Sequence, residues 1–211
     1  MIIFFLAQTS NLLDVVFVIG SEDNDAFEKA KTSIKDTVTS QTVVNTHYGV
    51  IQYGDTVTPE ILLDKFTNVD NFESDVGELK WGKIGTLLNE GIVEGHKMLQ
   101  EDGRDSARKL LVVYSDKEIK ANVSDLGDTV GSARDDNVQF VVIFFGEPTD
   151  GTTVSKLNPE GGKPIVIDGK DSGTEIKKKI LTGNRRFPLF YYPNFLPPSF
   201  VLASRKSRTS K

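Results

Sequence analysis

The chain has 211 residues, 38% of them hydrophobic and 26% charged, which suits one soluble domain with a core of its own. It has no cysteine, so disulfides, thiolate metal sites and cysteine nucleophiles are excluded. The compartment stays open, because a domain of this size can be stable outside the cell without cross-links.

The net charge of −5 conceals an asymmetry. Six of the 25 basic residues (Arg185, Arg186, Arg205, Lys206, Arg208, Lys211) fall in residues 185–211, which hold no acid. Residues 1–184 therefore set 19 basic against 30 acidic residues, a net charge of −11. Such a body repels nucleic acid and suits cations or basic partners, or is simply a solvated acidic surface.

The chain opens on "MIIFFLAQTS", an apolar run too short to span a bilayer. It has the apolar part and small-residue zone of a secretory signal but lacks the basic n-region, so residues 1–11 read as a signal remnant or an extra hydrophobic segment. "DVVFVI" (14–19) is a nearly continuous apolar run of the kind that strands buried on both faces carry. Phe27, Ala30, Ile34 and Val38 then repeat at helical spacing and predict an amphipathic helix over 24–39. "YGVIQY" (48–53) is a second buried strand, and "TPEILL" (58–63) follows closely enough to be its hairpin partner, with Pro59 suiting an edge. Leu87, Leu88, Ile92 and Leu99 predict a helix over 86–101.

"KLLVVY" (109–114) and "VQFVVIFF" (138–145) are further strands, with "KPIVI" (163–167) a weaker fifth parallel run. Between them "NVSDLGDTVGSARDD" (122–136) predicts a helix that Asn122 caps, weakened by two internal glycines. "SGTEIKKKIL" (172–181) predicts a last helix with lysines towards its C-terminal end. Strands alternating with helices imply α/β architecture: a doubly wound, mostly parallel sheet with helices on both faces. After Asn184 the chain carries four of its eight prolines, six aromatics and neither helical nor strand period. Residues 185–211 read as a basic tail outside the domain, either disordered or foreign in origin, or a peptide for a membrane surface or acidic partner.

Enzyme signatures are missing. No G-x-G-x-x-G follows the first strand, no G-x-x-x-x-G-K-[ST] occurs, and "GKIGT" (82–86) lacks the spacing of a phosphate loop. No G-x-S-x-G marks a nucleophile elbow, and His47 and His96 have no partner at metal-ligand spacing.

The ordered phrases "LLDVVFVIGSE", "FEKAKTSIKD", "YGVIQYGDTV", "LDKFTNVDNF", "GTLLNEGI", "KLLVVYSDKE" and "NVQFVVIFFG" resemble a von Willebrand factor type A domain. The flavour is that of the matrix A domains of type VI collagen and matrilins, over residues 12–183, with the domain bounded at 12–184. The resemblance implies a Rossmann-like sheet with one antiparallel edge strand and a binding face at the carboxyl ends of the strands. It also implies a metal-ion-dependent adhesion site. There a D-x-S-x-S loop, a threonine of a second loop and an aspartate of a third offer hard oxygen ligands to one Mg²⁺ or Mn²⁺.

Against that pattern the site is degenerate. Matched without gaps, Gly20 replaces the leading aspartate, and Glu22 and Asn24 replace the serines. With one residue deleted, Ser21 matches the first serine, Asp23 replaces the second, and the aspartate is missing. In the second loop Thr86 falls on the first threonine and Leu88 on the ligating one; in the third, Asp116 is kept. The vestigial candidates are thus Ser21, Glu22, Asp23, Asn24, Thr86 and Asp116, with Glu22, Asp23 and Asp25 able at most to recruit a weakly held Mg²⁺ or Ca²⁺. The competing reading is an acidic loop that caps the following helix. Asn122 heads an N-glycosylation triplet, "NVS".

The expected function is a non-enzymatic, secreted matrix or adhesion module. It binds a matrix or cell-surface protein such as collagen without a cofactor, nucleic acid or transmembrane segment, within what can be a longer multidomain chain. The alternative is an intracellular A-domain scaffold in a multiprotein complex.

Overall fold

The computed structural model describes residues 12–39, 45–82, 87–116, 123–146, 156–157 and 165–167. The expected N-terminal extension, the helix over 172–181, the tail after residue 184, Thr86 and Asn122 all lie outside those residues. Six strands, β1 (Leu13–Ile19), β2 (Thr46–Tyr53), β3 (Val57–Ile61), β4 (Arg108–Asp116), β5 (Val138–Phe145) and β6 (Ile165–Ile167), form one sheet in the order β3-β2-β1-β4-β5-β6. Every neighbouring pair is parallel except β2 and β3, which run antiparallel and put β3 at the edge. Pro59, which has no N–H to give to a ladder, sits in that edge strand as expected.

The run from Leu13 to Ile19 is apolar throughout apart from Asp14 because both faces of β1 are covered. Successive side chains point to opposite faces. Val15, Phe17 and Ile19 join Phe27, Ala30, Ile34 and Val38 of α1 (Asn24–Thr39) and Phe72 and Val76 of α2 (Val69–Glu78). Val16 and Val18 join Leu88, Ile92 and Leu99 of α3 (Leu88–Glu101) and Leu126, Val130 and Ala133 of α4 (Val123–Asp135). On the α3 side the helix lies close to the sheet: a Cβ at Gly95 would stand 2.8 Å from Leu111 Cδ1 and 2.9 Å from Val18 Cγ2. The glycines of "GIVEG" thus serve as spacers, which outweighs their cost in helix propensity.

Helix α2 and the short 3₁₀ turn Leu63–Lys65 are not among the elements expected from periodicity. The α2 signal is present nonetheless. Asn68 is its N-cap, its side chain accepting from the Asn71 N–H at 2.9 Å, and Val69, Phe72 and Val76 follow at three- and four-residue spacing.

At the amino ends of the strands an arginine staples three segments. Asp14 is fully buried, and the Arg104 backbone N–H donates to its Oδ2 at 2.7 Å while Nε donates to Oδ1 at 2.9 Å. The same guanidinium donates to the carbonyls of Leu13 and Asn45 at 2.9 and 2.8 Å. A charge-assisted set of this kind lets a carboxylate stay in the sheet interior.

Candidate interaction face at the carboxyl ends of the strands

The chain leaves β1 to build β2 on one side and later returns to build β4 on the other. The order therefore reverses between β1 and β4, which makes the carboxyl ends of those strands the switch point of the sheet. The first loop begins where β1 ends, at Ile19. Gly20 is buried, and a Cβ there would lie 2.4 Å from the Tyr53 carbonyl oxygen and 2.8 Å from the Tyr53 ring. Tyr53 ends β2 and is 4% exposed; its hydroxyl crosses β1 to donate to the Tyr114 carbonyl of β4 at 2.7 Å.

In this packing a side chain at Gly20 would collide with Tyr53 unless the loop or the tyrosine shifted. Ser21 is buried, and its Oγ accepts from the Asp23 N–H at 3.0 Å. Asp23 in turn is the N-cap of α1: its Oδ1 accepts from the Asp25 N–H at 3.1 Å and its carbonyl from the Phe27 N–H at 3.0 Å. Glu22, Asp23, Asn24 and Asp25 are exposed. The loop is thus an acidic helix cap, where carboxylates suit the positive end of the helix dipole.

Leu88 is the first residue of α3, 2% exposed, and packs in the same apolar cluster as Tyr53, Val18 and Ile92. Asp116 is the last residue of β4, opposite Phe145 of β5. Among the described residues no three His, Cys, Asp or Glu side chains converge closely enough to hold a metal ion. Those residues do not fit a dication held in the family's manner: Gly20 brings no carboxylate and Leu88 brings an apolar side chain where a hydroxyl is needed.

What periodicity and motif reading do not reveal is how the segment after α2 is held. Lys31 of α1, 7% exposed, donates to the Leu79 carbonyl at 2.9 Å and to Glu28 at 3.0 Å. Gln52 of β2 donates to the Lys80 carbonyl at 2.8 Å, and the half-buried Trp81 donates from its indole Nε1 to the Ser21 carbonyl at 2.9 Å. The only available signal is compositional: Trp81 is the chain's single tryptophan. Beside this segment an open groove of about 370 Å³ is lined by Gln52, Glu60, Asp75, Glu78 and Lys80.

Behind the face, the Tyr114 hydroxyl donates to Ser33 Oγ at 3.0 Å. Burial pushes its pKa well above the usual phenol value, with the Ser33 bond pulling the other way, so it stays neutral. The two histidines lie far from the face. His47 in β2 lies against Phe66 with its ring tilted by 35° and centroids 5.5 Å apart, and His96 contacts Asp136 at 2.9 Å.

The family model of the von Willebrand factor type A domain matches residues 14–179. Among solved structures, the mussel byssus proximal thread matrix protein 1 superposes with a TM-score of 0.67 at 14% identity, covering 80% of this chain and 47% of the mussel protein. This chain therefore spans about half the length of that relative. Another structure of the mussel protein has a zinc-occupied MIDAS motif, with a TM-score of 0.62 at 14% identity over 81% of this chain and 46% of that one. The manganese-loaded Plasmodium vivax TRAP protein gives 0.64 at 14% identity, over 81% of this chain and 72% of that one. The SpRpn10 VWA domain gives 0.63 at 16% identity, over 79% and 95%. The family match, over most of the chain, and the doubly wound sheet agree: this protein belongs to the von Willebrand factor type A domain family, a family of protein-interaction modules.

Proposed function

We propose that this chain is a non-enzymatic matrix or adhesion module, with its domain at residues 12–184, that binds another extracellular protein, collagen among the candidates, without Mg²⁺. The observation that carries the cation-independent part is the first loop. A Cβ at Gly20 would stand 2.4 Å from the Tyr53 carbonyl oxygen, while Ser21 Oγ and Asp23 Oδ1 accept N–H groups of the loop and of the α1 cap. Asp116 and Thr86 remain vestiges of the family site. Partner contact then rests on ordinary surface chemistry: exposed Glu22, Asp23 and Asp25, the half-buried Trp81, and the acidic groove of Glu60, Asp75 and Glu78. A partner with a basic patch fits this face, and its affinity falls as salt rises.

The extracellular part is supported by the apolar start, the matrix flavour of the sequence phrases and the acceptor triplet at Asn122. Among the described residues no helix is long and apolar enough to cross a membrane. Two assays test the proposal. Binding to immobilised matrix proteins in chelator, across a salt series, is expected to persist without cation and weaken with salt; binding that appears only with Mg²⁺ rejects it. Expression in a eukaryotic secretory host is expected to give medium-borne protein whose mass falls on deglycosylation. Cytosolic retention of the natural protein supports the alternative, an intracellular scaffold in a multiprotein complex.

A further inference from the structure

Among the described residues, the indole of Trp81 ties the first loop to the segment that follows α2. Its Nε1 donates to the Ser21 carbonyl at 2.9 Å, and its ring packs against the core cluster that contains Ile19 and Phe27. The two residues before it are also held, Leu79 by the buried Lys31 and Lys80 by Gln52. Ser21 is itself fixed on the other side, since its Oγ takes the Asp23 N–H. The chain of contacts is therefore continuous from β2 through Trp81 to the N-cap of α1.

We propose that Trp81 is a positioning residue that locks the first loop to the segment following α2, so that the interaction face is preorganised without a cation. The inference rests on the cation-independent reading above and adds the residue that makes it work. A preorganised face loses less conformational freedom when a partner docks. Trp81 acts through Ser21 and the capped loop, not through the chemistry of any ligand.

Amide hydrogen exchange on the full chain tests it, comparing wild type with Trp81→Phe in metal-free buffer. Phenylalanine keeps a ring against the core and lacks the donor. The Asp23, Asp25 and Phe27 amides, all hydrogen-bonded within the loop and cap, report on the lock. They are expected to exchange about fivefold faster in the variant, the change that loss of one net hydrogen bond gives for a local opening. The amides of Val16 and Val112, in the central strands, are the control and are expected to be unchanged. Unaltered exchange at the three loop amides, or an equal acceleration at the strand amides, overturns the inference. Adding Mg²⁺ to the wild type separates this failure from that of the underlying reading. Loop exchange and the emission of Trp81 are expected to stay as they were; a Mg²⁺-dependent slowing of the loop amides rejects the cation-independent reading itself.

Discussion

Replacing Arg104 by methionine removes the guanidinium but leaves much of the stem, and so isolates the charge at the amino ends of the strands. Asp14 is fully buried and Arg104 donates to it from Nε and from one terminal nitrogen, which also bonds the Leu13 and Asn45 carbonyls. After the change, the partner that Asp14 keeps among the described residues is the Arg104 backbone N–H, at 2.7 Å. Removing one partner of a buried ion pair costs about 3–5 kcal/mol, because the other charge is stranded. The Arg104 side chain is 25% exposed and one hydrogen bond survives, which places this case at the lower end, about 3 kcal/mol. For a domain of this size that corresponds to a fall in Tm of about 6–12 °C. Differential scanning calorimetry at neutral pH measures it directly. Asp14→Leu combined with Arg104→Met removes both charges and should recover part of the loss. A fall in Tm of less than about 2 °C for the single variant would refute the staple as a source of stability.

Two further outcomes follow from the geometry. Gly20→Ala places a Cβ 2.4 Å from the Tyr53 carbonyl oxygen, so a loss of at least about 2 kcal/mol is expected in chemical denaturation, and Gly20→Asp should destabilise likewise while gaining no Mg²⁺ affinity; unchanged stability would contradict the close approach. Burial, reinforced by the neighbouring Arg104 and opposed by Asp14, holds the His47 imidazole below its ordinary value of 6.5. The unfolded chain then takes up its proton first. The stability contribution is complete above pH 6.5 and is lost as pH falls from there through the lower folded value. His47→Gln should flatten the dependence of Tm on pH in that window, and parallel slopes for the two proteins would contradict the assignment.

Much of the architecture is legible in the sequence because it rests on burial. β5 is a run apolar apart from Gln139, and its extent, Val138–Phe145, follows from hydropathy alone. α1 is equally plain, since Phe27, Ala30, Ile34 and Val38 face one side of the sheet. α2 is harder: it has only ten residues, only Phe72 and Val76 of them are buried, and its cap residue Asn68 resembles any loop asparagine. The reach of α3 is misjudged at its start because Leu87, apolar and adjacent to Leu88, sits at φ −95° and ψ 41°, outside the helix.

At the candidate site the missing ligands are visible in the letters, but their reason is not. The crowding at Gly20 comes from Tyr53, 33 positions away in the chain and brought beside it by the pairing of β1 with β2. The Trp81 contact with Ser21 spans a separation of 60 residues and has no periodic signature. Long-range hydrogen bonds from side chain to backbone leave no pattern in composition, so this part of the face is read only from the folded chain.

The central claim, a face that works without a divalent cation, is tested most directly by titration calorimetry of Mg²⁺ and of Mn²⁺ into the metal-free protein. The donor set predicts no saturable heat, because a reluctantly dehydrating ion finds no aspartate at Gly20 and an apolar side chain at Leu88. A stoichiometric site with a dissociation constant in the micromolar range, abolished by Asp116→Ala or by loss of the Ser21 hydroxyl, would contradict the account.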